Sequence, residues 1–213
     1  MTRPHPPNPP KQLLESADKF GATTNRAPAT LFLLDDNIPF HATRLLLIID
    51  SIGNLGIEGR TKLAKLDFFV RYPRYLLKAA QIEGKKDIAE DIKKVIQSSP
   101  TIESQMIRYK YGPWDQKYYL ILAYLSGKKL IKIEQKGNVD KFLLTSLGKD
   151  LASNLVKQPE FYSLAERCRI VQKLFGNASG TAIKDFIYRH FPEVVRMPQR
   201  RAIPSMKQEQ ENE

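Results

Sequence analysis

Residues 106–125 read MIRYKYGPWDQKYYLILAYL and residues 130–144 read LIKIEQKGNVDKFLL. In the first stretch Ile107, Tyr109 and Tyr111 alternate with Arg108 and Lys110, the period of a half-buried strand. Gly112-Pro113-Trp114 interrupts that alternation, and Asp115 is suited to cap a helix reaching Leu125, because its carboxylate can accept from first-turn amides. Tyr118, Ile121, Leu122 and Leu125 form the apolar face of that helix, and Gly127 suits the left-handed residue that ends it. The second stretch reads as a hairpin, with Ile131 and Ile133 inward, Lys132 and Glu134 outward, a turn at Gly137-Asn138 and a return through Phe142. Thr145 or Ser146 then caps a helix carrying Leu147, Leu151 and Leu155. Strand, helix, hairpin and helix in this order are the parts of a winged helix-turn-helix. The expected fold class is mainly α with a small antiparallel sheet, extended by N- and C-terminal helices.

Upstream, Leu45, Ile48, Ile49 and Ile52 follow helical spacing within residues 42–52, and the chain turns at Gly53-Asn54, Gly56 and Gly59. Thr61 is suited to cap a second helix whose face holds Leu63, Leu66 and Val70, with Lys62 and Lys65 pointing away. Pro73 forces a bend before a helix through Leu76, Leu77 and Ala80, and Ile88, Ile92 and Val95 mark another before Pro100. Downstream, Phe161, Leu164, Cys168 and Val171 predict one helix, and Ile183, Phe186 and Ile187 a shorter last one. The expected organisation is a Pro-rich mobile arm over 1–30, a winged-helix core over 40–158, a C-terminal helical extension over 159–195 and a loose tail over 196–213.

The chain has 213 residues, 42% apolar and 27% charged, which fits a folded globular domain rather than a disordered or fibrous one. Its longest apolar runs, near Leu45–Ile49 and Tyr118–Leu125, are far short of the ~20 residues a membrane span requires. One cysteine, Cys168, and a Pro-rich start without an apolar signal core lead to a cytoplasmic expectation. In residues 1–40, Arg3, Lys11, Lys19 and Arg26 balance Glu15, Asp18, Asp35 and Asp36, so the whole formal charge of +11 falls in residues 41–213. A basic folded part is expected to meet nucleic acid or an acidic partner.

No residue set supports catalysis or a cofactor. Asp115 with Glu134-Gln135-Lys136 has the residue types of a Mg²⁺-dependent nuclease, where two carboxylates hold the metal and a lysine polarises water, but the residues between them read as helical. Glu83-Gly84-Lys85 lies in a linker and is a weaker version of the same pattern. His5, His41 and His190 lack metal-ligand spacing, Cys168 falls on a buried stripe, and Gly53, Gly56 and Gly59 lack the Lys-Ser/Thr of a phosphate loop. The expected site is instead basic: Lys128, Lys129, Lys132, Lys136 and Lys141 on or beside the wing, Lys117 on the following helix of the core, and Arg60, Lys62 and Lys65 on the second helix, near Arg71 and Arg74. Such a set is suited to the phosphates of double-stranded DNA. Only Gln116 and Lys117 offer base-reading groups after Pro113, so sequence selectivity is expected to be low.

Three stretches also carry a resemblance: Glu58-Gly-Arg-Thr-Lys-Leu-Ala-Lys-Leu-Asp-Phe-Phe-Val-Arg-Tyr-Pro73, Met106-Ile-Arg-Tyr-Lys-Tyr-Gly-Pro-Trp-Asp115 and Gly180-Thr-Ala-Ile-Lys-Asp-Phe-Ile-Tyr188. From about Phe40 to Val195 the chain resembles the middle components of ABC three-component systems, among them the small C subunit of Lamassu antiphage defence. That resemblance implies a non-catalytic adaptor between an SMC- or Rad50-like ATPase and an effector nuclease. The residues alone leave open a free-standing winged-helix regulator of transcription.

Overall fold

The first helix starts where Asn37 Oδ1 accepts from the Phe40 amide at 3.1 Å. Pro39 lies in its first turn, where a missing N–H leaves no bond unmade. The computed structural model describes residues 37–98 and 105–204; the Pro-rich arm, His5, Pro100 and the end of the tail lie outside them. Helix α1 (Ile38–Ile52) buries Ala42 and every apolar side chain from Leu45 to Ile49, so it is packed on most sides and forms the axis of the core. It ends at Gly53, whose φ of 75° is left-handed, and a 3₁₀ turn (Gly53–Leu55) leads to strand β1 (Ile57–Glu58).

Helix α2 (Arg60–Arg71) begins at Gly59, whose amide donates to Asp140 O at 2.7 Å. The cap expected at Thr61 is absent; Thr61 is an exposed residue inside the first turn. The bend at Tyr72-Pro73 separates α2 from α3 (Pro73–Ile82), and α4 (Lys86–Ser98) follows. Strands β2 (Ile107–Tyr109) and β3 (Gly112–Trp114) form a tight hairpin, so Gly112-Pro113-Trp114 is a strand and the turn is Lys110-Tyr111. Gly112 has φ 105°.

Helix α5 (Tyr118–Gly127), strands β4 (Ile131–Lys136) and β5 (Val139–Leu144), and helix α6 (Ser146–Leu155) come next. The molecule is mainly helical with a small antiparallel sheet ordered β1-β5-β4, in which Phe142 pairs with both Ile57 and Ile133. Three further helices, α7 (Pro159–Phe175), α8 (Gly180–His190) and α9 (Pro192–Arg196), close the core.

Four local expectations are corrected. Gly127 does not end α5 in a left-handed conformation; that conformation falls on Lys129, at φ 58°. Asp115 stands two residues before the N-cap of α5, which is Lys117: one carboxylate oxygen accepts from the Lys117 amide at 2.9 Å, as expected, and the other turns inward to a buried arginine. In α6, Thr145 caps as expected, but Leu147 and Leu151 face outward, while Gly148 and Ala152 face the core. The Gly148 backbone passes so close to Leu130 O that an added Cβ would lie 2.0 Å from it, so α6 can dock only on its small-residue face.

The fourth correction concerns the tail. Arg108 donates to Arg201 O at 2.8 Å, Arg200 to Arg108 O at 2.7 Å and Ile203 to Met106 O at 2.8 Å, so the chain through Ile203 is zipped along the outer edge of β2. Buried Tyr72 fastens both: its hydroxyl accepts from the Met106 amide at 2.8 Å and donates to Ile203 O at 3.1 Å. Burial pushes that phenol up to about 12. The C-terminal helices pack into the same buried cluster as the residues before them. Phe175 of α7 stacks on Phe69 of α2 with centroids 4.5 Å apart, and Phe191 meets Tyr75 at 5.2 Å.

Candidate interaction surface

Not every basic residue of the sequence faces solvent. Arg44 Nε lies 2.6 Å from Asp67 Oδ1, Arg71 Nε 3.2 Å from Asp67 Oδ2, and Arg71 Nη2 2.6 Å from Asp115 Oδ2. The Tyr118 hydroxyl donates to Asp67 Oδ2 at 2.7 Å. Two arginines and two aspartates thus form a neutral group joining α1, α2 and the start of α5, at a depth where a lone charge is prohibitively costly. Burial alone raises the Asp67 carboxyl, but Arg44 and Arg71 outweigh it and hold the pKa below the ordinary value. Burial first, and then the Asp67 charge, push the Tyr118 phenol well up. Arg71 is therefore an internal counter-ion and not a phosphate contact. Lys65 is corrected for the same reason: it is 1% exposed, and its ammonium donates to Thr61 O at 3.3 Å. Desolvation, then the nearby Lys184 charge, lower its pKa to about 8.

The outward face of the hairpin is less basic than its lysines suggest. Lys132 is 2.8 Å from Glu134, and Lys141 lies across from Glu134 in β4 and from Glu58 in β1, with Lys141 Nζ 4.0 Å from Glu58. Lys132, by hydrogen bond and charge, lowers the Glu134 carboxyl. Lys128 and Lys129 remain exposed beyond the end of α5, with Lys128 Nζ 5.7 Å from the Tyr124 centroid. Lys117 stands at the other end, roughly 15 Å away by helical rise. Lys136 contributes backbone to β4.

Lys62 and Lys141 do converge, on a cleft of about 700 Å³, while Arg60 stands outside its lining. Its walls include Glu58, Gly59, Thr61 and Lys62, then Tyr111, and then Gly180, Thr181 and Lys184. The three stretches quoted from 58–73, 106–115 and 180–188, far apart in the chain, therefore meet at one place. Gly180 allows the approach: an added Cβ would sit 3.3 Å from Lys62 Cβ. The Tyr188 hydroxyl, 3.2 Å from Lys110 O, ties α8 to the β2–β3 turn. Lys62 donates to Gly176 O at 3.0 Å, and burial lowers its pKa.

Tyr111 and Thr61 also border a second cleft of about 210 Å³, made by Arg60, Tyr109, Gly112, Pro113, Trp114 and Tyr119. Tyr109, Tyr111 and Tyr119 are 41%, 54% and 58% exposed. Trp114 lies 6.3 Å from Tyr109 and 6.1 Å from Tyr119 between ring centroids, and the Arg60 guanidinium sits 5.2 Å over Tyr119 while it also pairs with Asp140 at 2.9 Å. Helix α5 continues this apolar face outward through Leu120, 58% exposed, and Ala123. A helix apolar on every side has two apolar faces to cover, of which the described residues cover one.

No protein-family model matches the chain. No curated protein and no solved structure matches it either. Among the described residues no group of three or more His, Cys, Asp or Glu is placed to hold a metal ion. Asp115 is committed to Arg71, and Glu134 is an exposed partner of Lys132, so the nuclease-like spacing gathers no metal site here. His41 is buried with Nδ1 3.1 Å from Arg44, His190 packs 4.7 Å from Phe186, and Cys168 is buried in α7. No described helix is long and apolar enough to cross a membrane.

The residues missed in the sequence are Tyr119 and Lys184. Both lie in segments read as helices, and only the packing of α5 beside α2, and of α8 beside α2, brings them to the clefts. The alternation at 107–111 had placed Tyr109 and Tyr111 on a buried side; they are instead the exposed rim of a two-stranded ribbon.

Proposed function

We propose that this chain is a non-catalytic winged-helix adaptor that joins an SMC- or Rad50-like ATPase to an effector nuclease in a prokaryotic antiphage or antiplasmid defence complex, and touches double-stranded DNA without sequence preference. The winged-helix part of the reading is supported by element order: α1, β1, α2, then α5 and the β4–β5 hairpin, with sheet order β1-β5-β4 and residues 73–117 inserted between the second and third helices. The adaptor part is carried by one observation. Helix α5, which in a winged helix would be the base-reading helix, turns Leu120 and Ala123 outward instead of amides or cations. Base edges are read by hydrogen-bonding side chains. An apolar helix face is what a protein partner covers.

The three stretches resembling ABC three-component middle components add to this reading, since they gather at one cleft. The test is a search of the adjacent genes for a coiled-coil ATPase and co-expression with it. The expected result is a stable complex that Leu120→Glu disrupts while circular dichroism stays unchanged. Tight, selective binding of the isolated chain to its own promoter, with no complex formed, would replace the adaptor by the transcriptional regulator.

A further inference from the structure

We infer that the joined clefts at the β2–β3 hairpin bind unpaired nucleic acid, with bases stacked on Tyr109, Tyr111 and Tyr119 and phosphates held by Arg60, Lys62 and Lys184. This site meets the β4–β5 hairpin only at the start of β5, through Val139 and Lys141, and does not depend on the adaptor reading.

Two halves of one trough carry the inference. The aromatic half presents three substantially exposed tyrosines beside Trp114, with Pro113 as floor and the Arg60 guanidinium already stacked over Tyr119. The basic half presents Lys62, Lys141 and Lys184 against one carboxylate, Glu58, along its lining, and a second, Asp185, lies 3.1 Å from Lys184 beside it. Tyr111 and Thr61 belong to both halves, so the two clefts lie side by side with a shared border. Lys184 also adds to the field that lowers Lys65, which marks the wall of α2 and α8 as electropositive.

A ligand that satisfies both halves must alternate flat π faces with negative charges. Single-stranded DNA or RNA does so in every nucleotide. A duplex presents phosphates, but its base faces are stacked inside and cannot reach the tyrosines. An acidic peptide supplies charge without a flat face in each residue. No donor or acceptor set in the aromatic half discriminates among bases, so binding is expected to be tolerant of sequence.

Trp114 is the only tryptophan of the chain and lines the aromatic half, so its emission reports a base stacked there. The full chain is titrated at low salt with short oligo(dT), with an abasic strand of equal length, with a blunt duplex and with polyglutamate. Oligo(dT) is expected to quench Trp114 and to bind about tenfold more tightly than the abasic strand. Tyr109→Ala with Tyr111→Ala, both on the exposed hairpin, removes that difference and leaves duplex affinity unchanged. Equal affinity for oligo(dT) and the abasic strand with no quenching would overturn the inference, as would polyglutamate competing as well as oligo(dT).

Discussion

Arg71 Nη2 lies 2.6 Å from Asp115 Oδ2, and the same guanidinium reaches Asp67 through Nε at 3.2 Å. Two residues that read in the sequence as a phosphate contact and a helix cap are thus each other's counter-charges inside the protein. Asp115→Ala leaves Arg71 with half its compensation, and breaking such a pair costs about 3 kcal/mol. Glu134→Ala, on the exposed hairpin, is expected to change stability by less than about 0.5 kcal/mol. Urea denaturation midpoints measure both. Similar small losses for the two variants would contradict the buried network.

Lys65 makes stability rise with pH on the alkaline side. Its pKa in the folded chain is about 8, against an ordinary 10.5, so between these values the unfolded chain binds more protons than the folded one. The charged form is disfavoured by burial, and raising the pH from 8 toward 10.5 removes that cost, on the order of 3 kcal/mol. Lys65→Met is expected to raise stability near pH 7 and to flatten the pH dependence in this window. A variant with the same alkaline rise as the parent would show that another group causes it.

Gly148 and Gly127 separate packing from helix propensity. Alanine is favoured over glycine in a helix by about 1 kcal/mol. At Gly127 an added Cβ meets nothing within 4 Å, so Gly127→Ala is expected to be neutral or stabilising. At Gly148 it meets Leu130 O at 2.0 Å, so Gly148→Ala is expected to cost about 1–3 kcal/mol despite its propensity. Thermal melts decide the sign at each position.

The lysines around the hairpin should differ in their effect on duplex DNA. Each phosphate contact removed lowers the salt slope of log affinity by about 0.9. Lys128→Gln and Lys129→Gln are expected to do so, Lys132→Gln less, because Glu134 already holds its ammonium at 2.8 Å. Buried Lys65→Met should leave the slope unchanged. Filter binding over a range of salt concentrations reads all four, and an effect of Lys65 equal to that of Lys128 would place DNA elsewhere.

Local periodicity was enough to reveal helices α1 to α8, the β4–β5 hairpin with its turn at Gly137-Asn138, and the mainly α class with a small sheet, but not the short α9, because 3.6-residue and 2-residue patterns are properties of neighbours in the chain. The concentration of charge after residue 40 was equally plain. Which face a charged residue takes was not. Lys65 and Lys62 are three apart on α2, yet one is buried and the other borders a cleft, since α8 covers only part of that helix. Arg71 and Asp115 are 44 residues apart, and Arg44 and Asp67 are 23 apart. The favourable Coulomb energy of these pairs exists only after the core has excluded water around them, so tertiary packing alone decided that they are internal. It also decided that Tyr109, Tyr111 and Tyr119 stand at one exposed trough, because closure of α5 and α8 against α2 is a matter of side-chain shape that no local pattern encodes.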